Sequence, residues 1–482
     1  MAFSKRFESP IRWYLAVLFL GLVASGFVGS PYGKFQLQRI VEMLLLVGVL
    51  AWSYRRQSDG ALNASATSGW YGLGLVGFGL TALLAGWSGP IPWISLAFTG
   101  LTWMQFGLLP QLRTAWERYG EDGIRLLALF GFCLVGLDVA LWLVMHAHAL
   151  PVYTWVRKIN AFGQIDFQAP YLFLNPRWGN QYSVLLLWTF VPLLHQLQRG
   201  AVQRFQGFWW AICWLVPIVC WLQIVLTEGD GAFLASWLGA ALLGLFAALS
   251  QGAQRQFWLR CLGLVVVGLV VAWLVSFGLE AGSFFANLLQ RNTQEVSKGV
   301  VTAEMGRADL RLLNWMLYGL ASLQWPIWGV GIQVVPQGSP VCGPHSLPVE
   351  LLYWTGLLGT AAAALLTTGF WPRRLGELVR SQSMAGLLSP MLVALFAYQL
   401  IDDIWLKPAS LALLLLVLAA VMRPQPTQAG PLQPWALSFQ AYRLLALLGL
   451  LMIVISVVRP GGVGFGPSPL VSLPGKDCLL FF

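Results

Sequence analysis

About thirteen apolar stretches, most of them near twenty residues, recur along this chain and constrain its fold more than any other feature. They cover roughly 12–31, 40–54, 70–87, 91–110, 126–146, 181–197, 208–226, 232–250, 261–279, 349–370, 386–402, 408–422 and 444–458. A helix of that length crosses the hydrocarbon core of a bilayer, where every backbone N–H and C=O must be satisfied within the segment. The second, twelfth and thirteenth stretches are short, so the expected count is about 12–14 transmembrane helices. The expected fold class is an all-α polytopic membrane protein, one integral domain over 1–482. Hydrophobic residues make up 57% of the 482 and charged residues 10%, against roughly 25% charged in soluble proteins. The 29 basic and 19 acidic residues cannot coat a soluble surface. A cytosolic enzyme, a disulfide scaffold and a nucleic-acid binder are excluded together.

The net charge of +10 resembles a polyanion signature only until its members are placed. Lys5, Arg6 and Arg12 precede the first stretch, Arg55 and Arg56 follow the second, and Arg113, Arg118 and Arg125 follow the fourth. Arg199 with Arg204, Arg255 with Arg260, and Arg373, Arg374 and Arg380 continue the series. With thirteen spans all of these fall on one side, which the positive-inside bias makes the cytoplasm. The N-terminus is then cytoplasmic and the C-terminal tail outside. The first stretch lacks an Ala-x-Ala-type exit and reads as a retained span.

Two connections are long, 147–180 and 280–348, and both fall on the outer side. The second is the one large extramembrane loop, and long structured loops usually carry function. Within it, 283–290 and 311–324 have helical apolar spacing, the latter ending before Trp325-Pro326 and suited to lying flat at the interface. The tail 459–482, rich in glycine and proline, reads as irregular coil. Cys133, Cys213, Cys220 and Cys261 lie in apolar stretches as packing residues, while Cys342 and Cys478 lie outside, where a bridge between them is one option.

Outer-side basic residues run against the charge bias and need another reason. They are Arg157, Lys158, Arg177, Arg291, Lys298, Arg307 and Arg311. They read either as headgroup contacts or as a pocket for an anionic, membrane-embedded substrate such as a lipid diphosphate. Arginine suits the second role because its planar fork grips phosphate oxygens bidentately. His345, in the run GPHSLPVELLYWTGLLG, is the one histidine of the large loop and is suited to general-base chemistry at neutral pH. Its alternative is an interfacial histidine bonded to backbone. Glu350, near the outer end of the following span, reads either as a functional acid or as a structural partner for an arginine. His146 and His148 have no acidic or cysteine partner at ligand spacing, so no metal is expected there. Asp402 and Asp403 read as partners of Lys407 or as a sugar contact, and Asp138 and Glu42 as paired within the bundle. No Walker loop, Asp-x-Asp or His-Glu-x-x-His is present, so no nucleotide or metal cofactor is expected.

These features in this order resemble the O-antigen ligase superfamily, which includes polysaccharide polymerases and pilin O-oligosaccharyltransferases. The strongest element is His345-Ser346-x-x-x-Glu350-Leu351-x-x-x-x-Gly356-x-x-Gly359, similar to the family's entry into a span after its large periplasmic loop. Arg311-L-L-N-Trp315 followed by Pro326-I-W-Gly329-V-Gly331 resembles the Arg-x-x-x-Trp and Pro-x-x-Gly-x-Gly pattern. Asn175-Pro-Arg177-W-G-Asn180-Gln181 resembles the Asn-Arg-x-x-Asn-Gln segment that opens an earlier span. The likeness covers roughly 170–370. Two departures stand out: Ser346 replaces an asparagine, and Thr227-Glu228-Gly229-Asp230-Gly231 lacks the arginine of a Thr-x-Ser-Arg segment.

The resemblance implies a metal-independent, inverting glycosyltransferase at the periplasmic face of a bacterial inner membrane. The donor would be a glycan on undecaprenyl diphosphate. Lipid A–core is the first acceptor (O-antigen ligation), pilin the second, and another glycan repeat unit the third. Arg177 and Arg311, with Arg307 as a third candidate, would bind the diphosphate. His345 would orient or deprotonate the acceptor hydroxyl, and Glu350 would hold its imidazole in the useful tautomer. A lipid-linked glycan transporter, using the same arginines only for binding, is the reading from another class.

Overall fold

The computed structural model describes residues 9–28, 31–57, 69–87, 92–147, 176–227, 229–279, 307–332, 334–336, 344–370, 383–401, 408–422 and 437–458, with a few paired residues in the loop after 147 and in the tail. The described chain is almost entirely helical, an all-α polytopic membrane protein. In chain order the helices are α1 Pro10–Gly26, α2 Pro31–Gln57, α3 Gly69–Trp87, α4 Pro92–Gly107, α5 Leu109–Ala147, α6 Pro176–Leu186, α7 Phe190–Gln198 and α8 Gln206–Leu226. They continue as α9 Asp230–Leu249, α10 Gly252–Gly278, α11 Arg307–Ser322, α12 Leu347–Thr367, α13 Ser389–Gln399, α14 Pro408–Val421 and α15 Phe439–Val458.

Every one of the thirteen apolar stretches falls on helix. Eight helical runs among the described residues are long and apolar enough to span a membrane, one of them a continuous run from Pro92 to Val144 that covers two expected stretches; α1 and α14 are shorter apolar helices. The second and ninth stretches extend N-terminally, to Pro31 and Gly252, and three further boundaries differ from expectation for a local reason. The segment 111–125, expected as a loop, continues as the first turns of α5: it contains no proline after Pro110, and Arg113 pairs with Glu117 one turn on at 2.5 Å. At 39 residues α5 is about 58 Å long, well beyond a hydrocarbon core of about 30 Å, so it protrudes. The stretch 181–197 is not one helix but α6, a 3₁₀ turn at Leu187–Thr189 and α7. Pro192 has no N–H to give the Trp188 carbonyl, and the chain tightens there. The stretch 386–402 is divided at Leu388, ahead of Pro390, into a turn at Met384–Leu387 and α13. The tail, expected as coil, carries two antiparallel pairings of two residues each, 467–468 with 480–481 and 472–473 with 476–477.

The main helix pairings are α1 on α2, α3 on α4 and α12, α4 on α15, α8 on α5 and α10, and α9 on α13. Gly100 and Gly449 let the α4 and α15 backbones approach until a Cβ on Gly449 would lie 2.3 Å from the Gly100 carbonyl. Buried polar side chains stitch the bundle. Tyr14 donates to the Ala412 carbonyl at 2.7 Å, Trp116 to Leu416 at 2.8 Å and Tyr71 to Phe106 at 2.7 Å. Asp122 accepts from both Arg12 and Arg125, so two of the expected same-side clusters do meet at one end of the bundle. Around the outside, Leu20, Leu44, Leu84, Trp214, Leu238, Val270 and Leu451 are exposed. That apolar exterior is what a lipid-facing surface requires.

Candidate functional site

The site is built around a break in α12. Gly356 has φ 65° and ψ −168°, so the helix that starts at Leu347 is interrupted after two and a half turns. An unbroken helix would bond the amides of Leu357 and Leu358 to the carbonyls of Tyr353 and Trp354. Here the strip after α11 takes over both sides. Val330 and Gly331 donate to the Tyr353 and Trp354 carbonyls, each at 3.0 Å. Leu357 and Leu358 donate to Pro326 at 2.8 Å and to Ile327 at 3.2 Å. These four backbone groups are thereby matched inside the protein, as low-dielectric surroundings demand. Trp354 Nε1 adds a bond to the Val334 carbonyl at 3.1 Å.

This rewiring explains the glycine spacing. Gly329 has φ 75°, and a Cβ there would lie 2.4 Å from the Trp354 carbonyl carbon. A Cβ on Gly356 would lie 2.3 Å from the Ile327 oxygen. Neither position tolerates a side chain, on conformation or on space. The Pro326-x-x-Gly329-x-Gly331 and Gly356-x-x-Gly359 patterns, which sequence alone treats as separate, are two halves of one joint.

His345 stands at the entry to α12, two residues before its start. It is exposed, and its φ of 53° is left-handed, a conformation that costs a non-glycine residue about 1–2 kcal/mol. Such strain persists where surroundings enforce it. Part of the enforcement is visible: Trp315 of α11 donates its indole N–H to the carbonyl of Pro344, the preceding residue, at 2.9 Å. Ser346 then caps α12 by position, though its hydroxyl makes no cap bond, and the Glu350 amide returns to the Ser346 carbonyl at 2.9 Å. The Glu350 carboxyl is buried (1% exposed) near the start of α12, where the helix dipole favours negative charge. His345 and Glu350 thus occupy opposite environments, one exposed and one buried.

Arg311 lies one turn before Trp315, on the face of α11 that also carries buried Asn314 and Tyr318. Tyr318 meets Tyr353 edge to face at 5.1 Å, which fixes that face against α12. The helix starts at Arg307, one turn ahead of Arg311, and ends at Ser322, just short of Trp325-Pro326 as the spacing predicts. The side chains of Arg307 and Arg177 lie outside the described residues, although both residues sit in the first turn of their helices, α11 and α6. Arg157, Arg291, Lys298, His148, Cys342, Cys478, Asp402, Asp403 and Lys407 also lie outside them, as do the side chains of His146 and Lys158.

A second polar group forms where α5, α6 and α8 meet. Gln223 donates to Asp138 at 2.5 Å, and the Thr227 hydroxyl lies 2.7 Å from the Asn180 amide oxygen and 2.6 Å from the Gln223 carbonyl. All four residues are buried. A Cβ on Gly229, just ahead of α9, would lie 2.4 Å from the Asn180 amide nitrogen, so the glycine leaves room for that amide. Thr227 thus contacts the Asn180 side chain directly, and Gly229 leaves it space. Asp138 and Gln223 are 85 residues apart, and no local pattern pairs them.

Glu42 has its partners too. Arg39 donates to it at 2.5 Å and Gln105 at 2.6 Å, all three side chains being buried between α2 and α4. Among the described residues no three His, Cys, Asp or Glu side chains are grouped to hold a metal. Cys133, Cys213, Cys220 and Cys261 are free thiols. No family model and no curated protein matches this chain in comparison with known proteins.

Proposed function

We propose that this chain is a membrane glycosyltransferase that moves a glycan from undecaprenyl diphosphate to an acceptor hydroxyl at the periplasmic face of a bacterial inner membrane. The observation that carries the reading is the 2.9 Å bond from Trp315 to the Pro344 carbonyl. It ties the helix bearing Arg311 to the turn bearing His345, so the helix that carries the cation and the turn that carries a strained, exposed imidazole are held together. Positioning of that kind is most of what this chemistry asks of a protein.

In the proposed step the acceptor oxygen attacks the anomeric carbon and the bond from that carbon to the diphosphate oxygen breaks, with inversion. The hydroxyl proton passes to His345, and Arg311, with Arg307 and Arg177, stabilises the charge arriving on the leaving diphosphate. Burial beside the helix start keeps the Glu350 carboxyl within one turn of Ser346, the residue after His345. Thr227 and Gly229 set the Asn180 amide, one turn after Arg177 in α6. Diphosphate is a good leaving group, so arginines suffice in place of a metal. Lipid A–core is the first acceptor, with pilin and a second glycan repeat unit behind it.

One observation favours the transporter reading: a discontinuous helix is a recurring device of secondary transporters, which use the freed backbone groups to bind cargo. In α12 the carbonyls of Tyr353 and Trp354 and the amides of Leu357 and Leu358 are already bonded to residues 326–331 and are not open to a ligand. Reconstitution in vesicles with lipid-linked oligosaccharide decides between the readings, run with chelator against core lipid, pilin and a second repeat unit. Transfer to one acceptor is expected. Movement of lipid-linked glycan across the bilayer with no acceptor glycosylated would establish the transporter instead.

A further inference from the structure

The polarity of α11 is inside out. Its buried face carries Asn314, Tyr318 and Ser322, residues spaced by one turn. Its opposite face carries Leu312, Met316 and Leu320, which are 56%, 55% and 62% exposed, with Leu323 at 70% on the same stripe. Beyond the helix end the exposed series continues through Trp325, Ile327 and Trp328. A helix in an aqueous loop buries its apolar stripe and wets its polar one; this helix does the reverse.

We infer that α11 is an interfacial helix, with the stripe from Leu312 to Leu323 sunk into the acyl chains of the leaflet on the His345 side, and Trp325 and Trp328 at the level of the headgroups. Three observations commit the stripe to lipid. It is continuous with the apolar outer surface of α12, where Leu357 and Leu358 are exposed and where Pro326 and Ile327 are hydrogen-bonded to the amides of those same two residues. Its C-terminal end carries the exposed indoles that favour the boundary between water and hydrocarbon. Its polar face is already occupied by α12, which leaves the helix only one orientation in which to meet the membrane. The inference holds whether or not the chain transfers a glycan. Where the proposed function is also right, the leaflet fixes the height of Arg311, on the opposite face of the same helix, at the phosphate layer where a lipid diphosphate presents itself.

The test places the photoreactive residue benzoylphenylalanine at Met316 or Leu320 in the full-length chain, reconstituted in phosphatidylethanolamine–phosphatidylglycerol vesicles. Irradiation is expected to add the mass of one phospholipid at either position, and none with the same residue at Asn314. A covalent dimer at Met316 would show that a second copy covers the stripe, and absence of any adduct would show that it faces water; either result overturns the inference. As a second readout, Met316→Lys with Leu320→Lys is expected to abolish the adduct from a probe at Leu312 while the detergent-solubilised protein keeps its helical circular dichroism. Retention of the lipid adduct in that folded variant would equally count against the inference.

Discussion

Trp315 donates its indole N–H to the carbonyl of Pro344, the residue before His345, at 2.9 Å. The bond joins residues 29 apart and sets the height of the His345 turn against α11. Trp315→Phe keeps the ring and removes the donor, leaving a part-buried carbonyl unbonded at a cost of about 1 kcal/mol. The expected outcome is a thermal midpoint only slightly lowered and glycan transfer reduced about tenfold or more, since each 1.4 kcal/mol of lost positioning is a factor of ten. Unchanged transfer would mean that the height of the His345 turn does not matter.

The joint in α12 has no slack. Gly356→Ala puts a methyl 2.3 Å from the Ile327 oxygen at a left-handed φ of 65°. Conformational strain and steric clash together are expected to destabilise the protein by on the order of 3 kcal/mol. Gly329→Ala meets the Trp354 backbone at 2.4 Å and should behave alike. Gly263→Ala, where a Cβ meets nothing within 4 Å, is the control and should be neutral or slightly stabilising, as glycine-to-alanine changes in helices are. Thermal unfolding in detergent micelles reads all three.

Glu42 and Arg39 are a buried ion pair, and losing one partner leaves the other charged in a dry bundle. Glu42→Ala is expected to cost about 3–5 kcal/mol. The double change Arg39→Met with Glu42→Leu should recover most of that, because desolvation disappears along with the attraction. A single variant as stable as the double would contradict the pairing between Arg39 and Glu42.

Thr227→Val keeps shape and removes the hydroxyl that holds Asn180. A buried amide oxygen losing its donor costs about 1–3 kcal/mol. Because Asn180 lies one turn after Arg177, a proposed diphosphate ligand on the same helix, transfer should fall further than stability does, and Thr227→Ser should restore both.

What could be read from residue order alone follows from range. The apolar stretches, the end of α11 before Trp325-Pro326 and the free thiols in apolar helices depend on composition, length and one proline, all local. The partners of Asp138 and Glu42 do not: Gln223 and Gln105 lie 85 and 63 residues away, and no periodicity couples them. The break at Gly356 lies between. Its glycine is visible in the pattern, but any glycine in a span is usually a packing contact. Only the three-dimensional return of 326–331 shows that this one opens the helix. The strain at His345 was not legible either, because left-handed φ leaves no mark on a histidine.

The most direct test of the account is glycan transfer by the reconstituted protein, comparing wild type with His345→Ala and Arg311→Ala at matched amounts of folded protein. General-base and charge-stabilising roles are each worth on the order of a hundredfold or more. The account predicts that both variants retain the wild-type thermal midpoint to within a few degrees and lose transfer by at least about that factor. Transfer at the wild-type rate by either folded variant would contradict it.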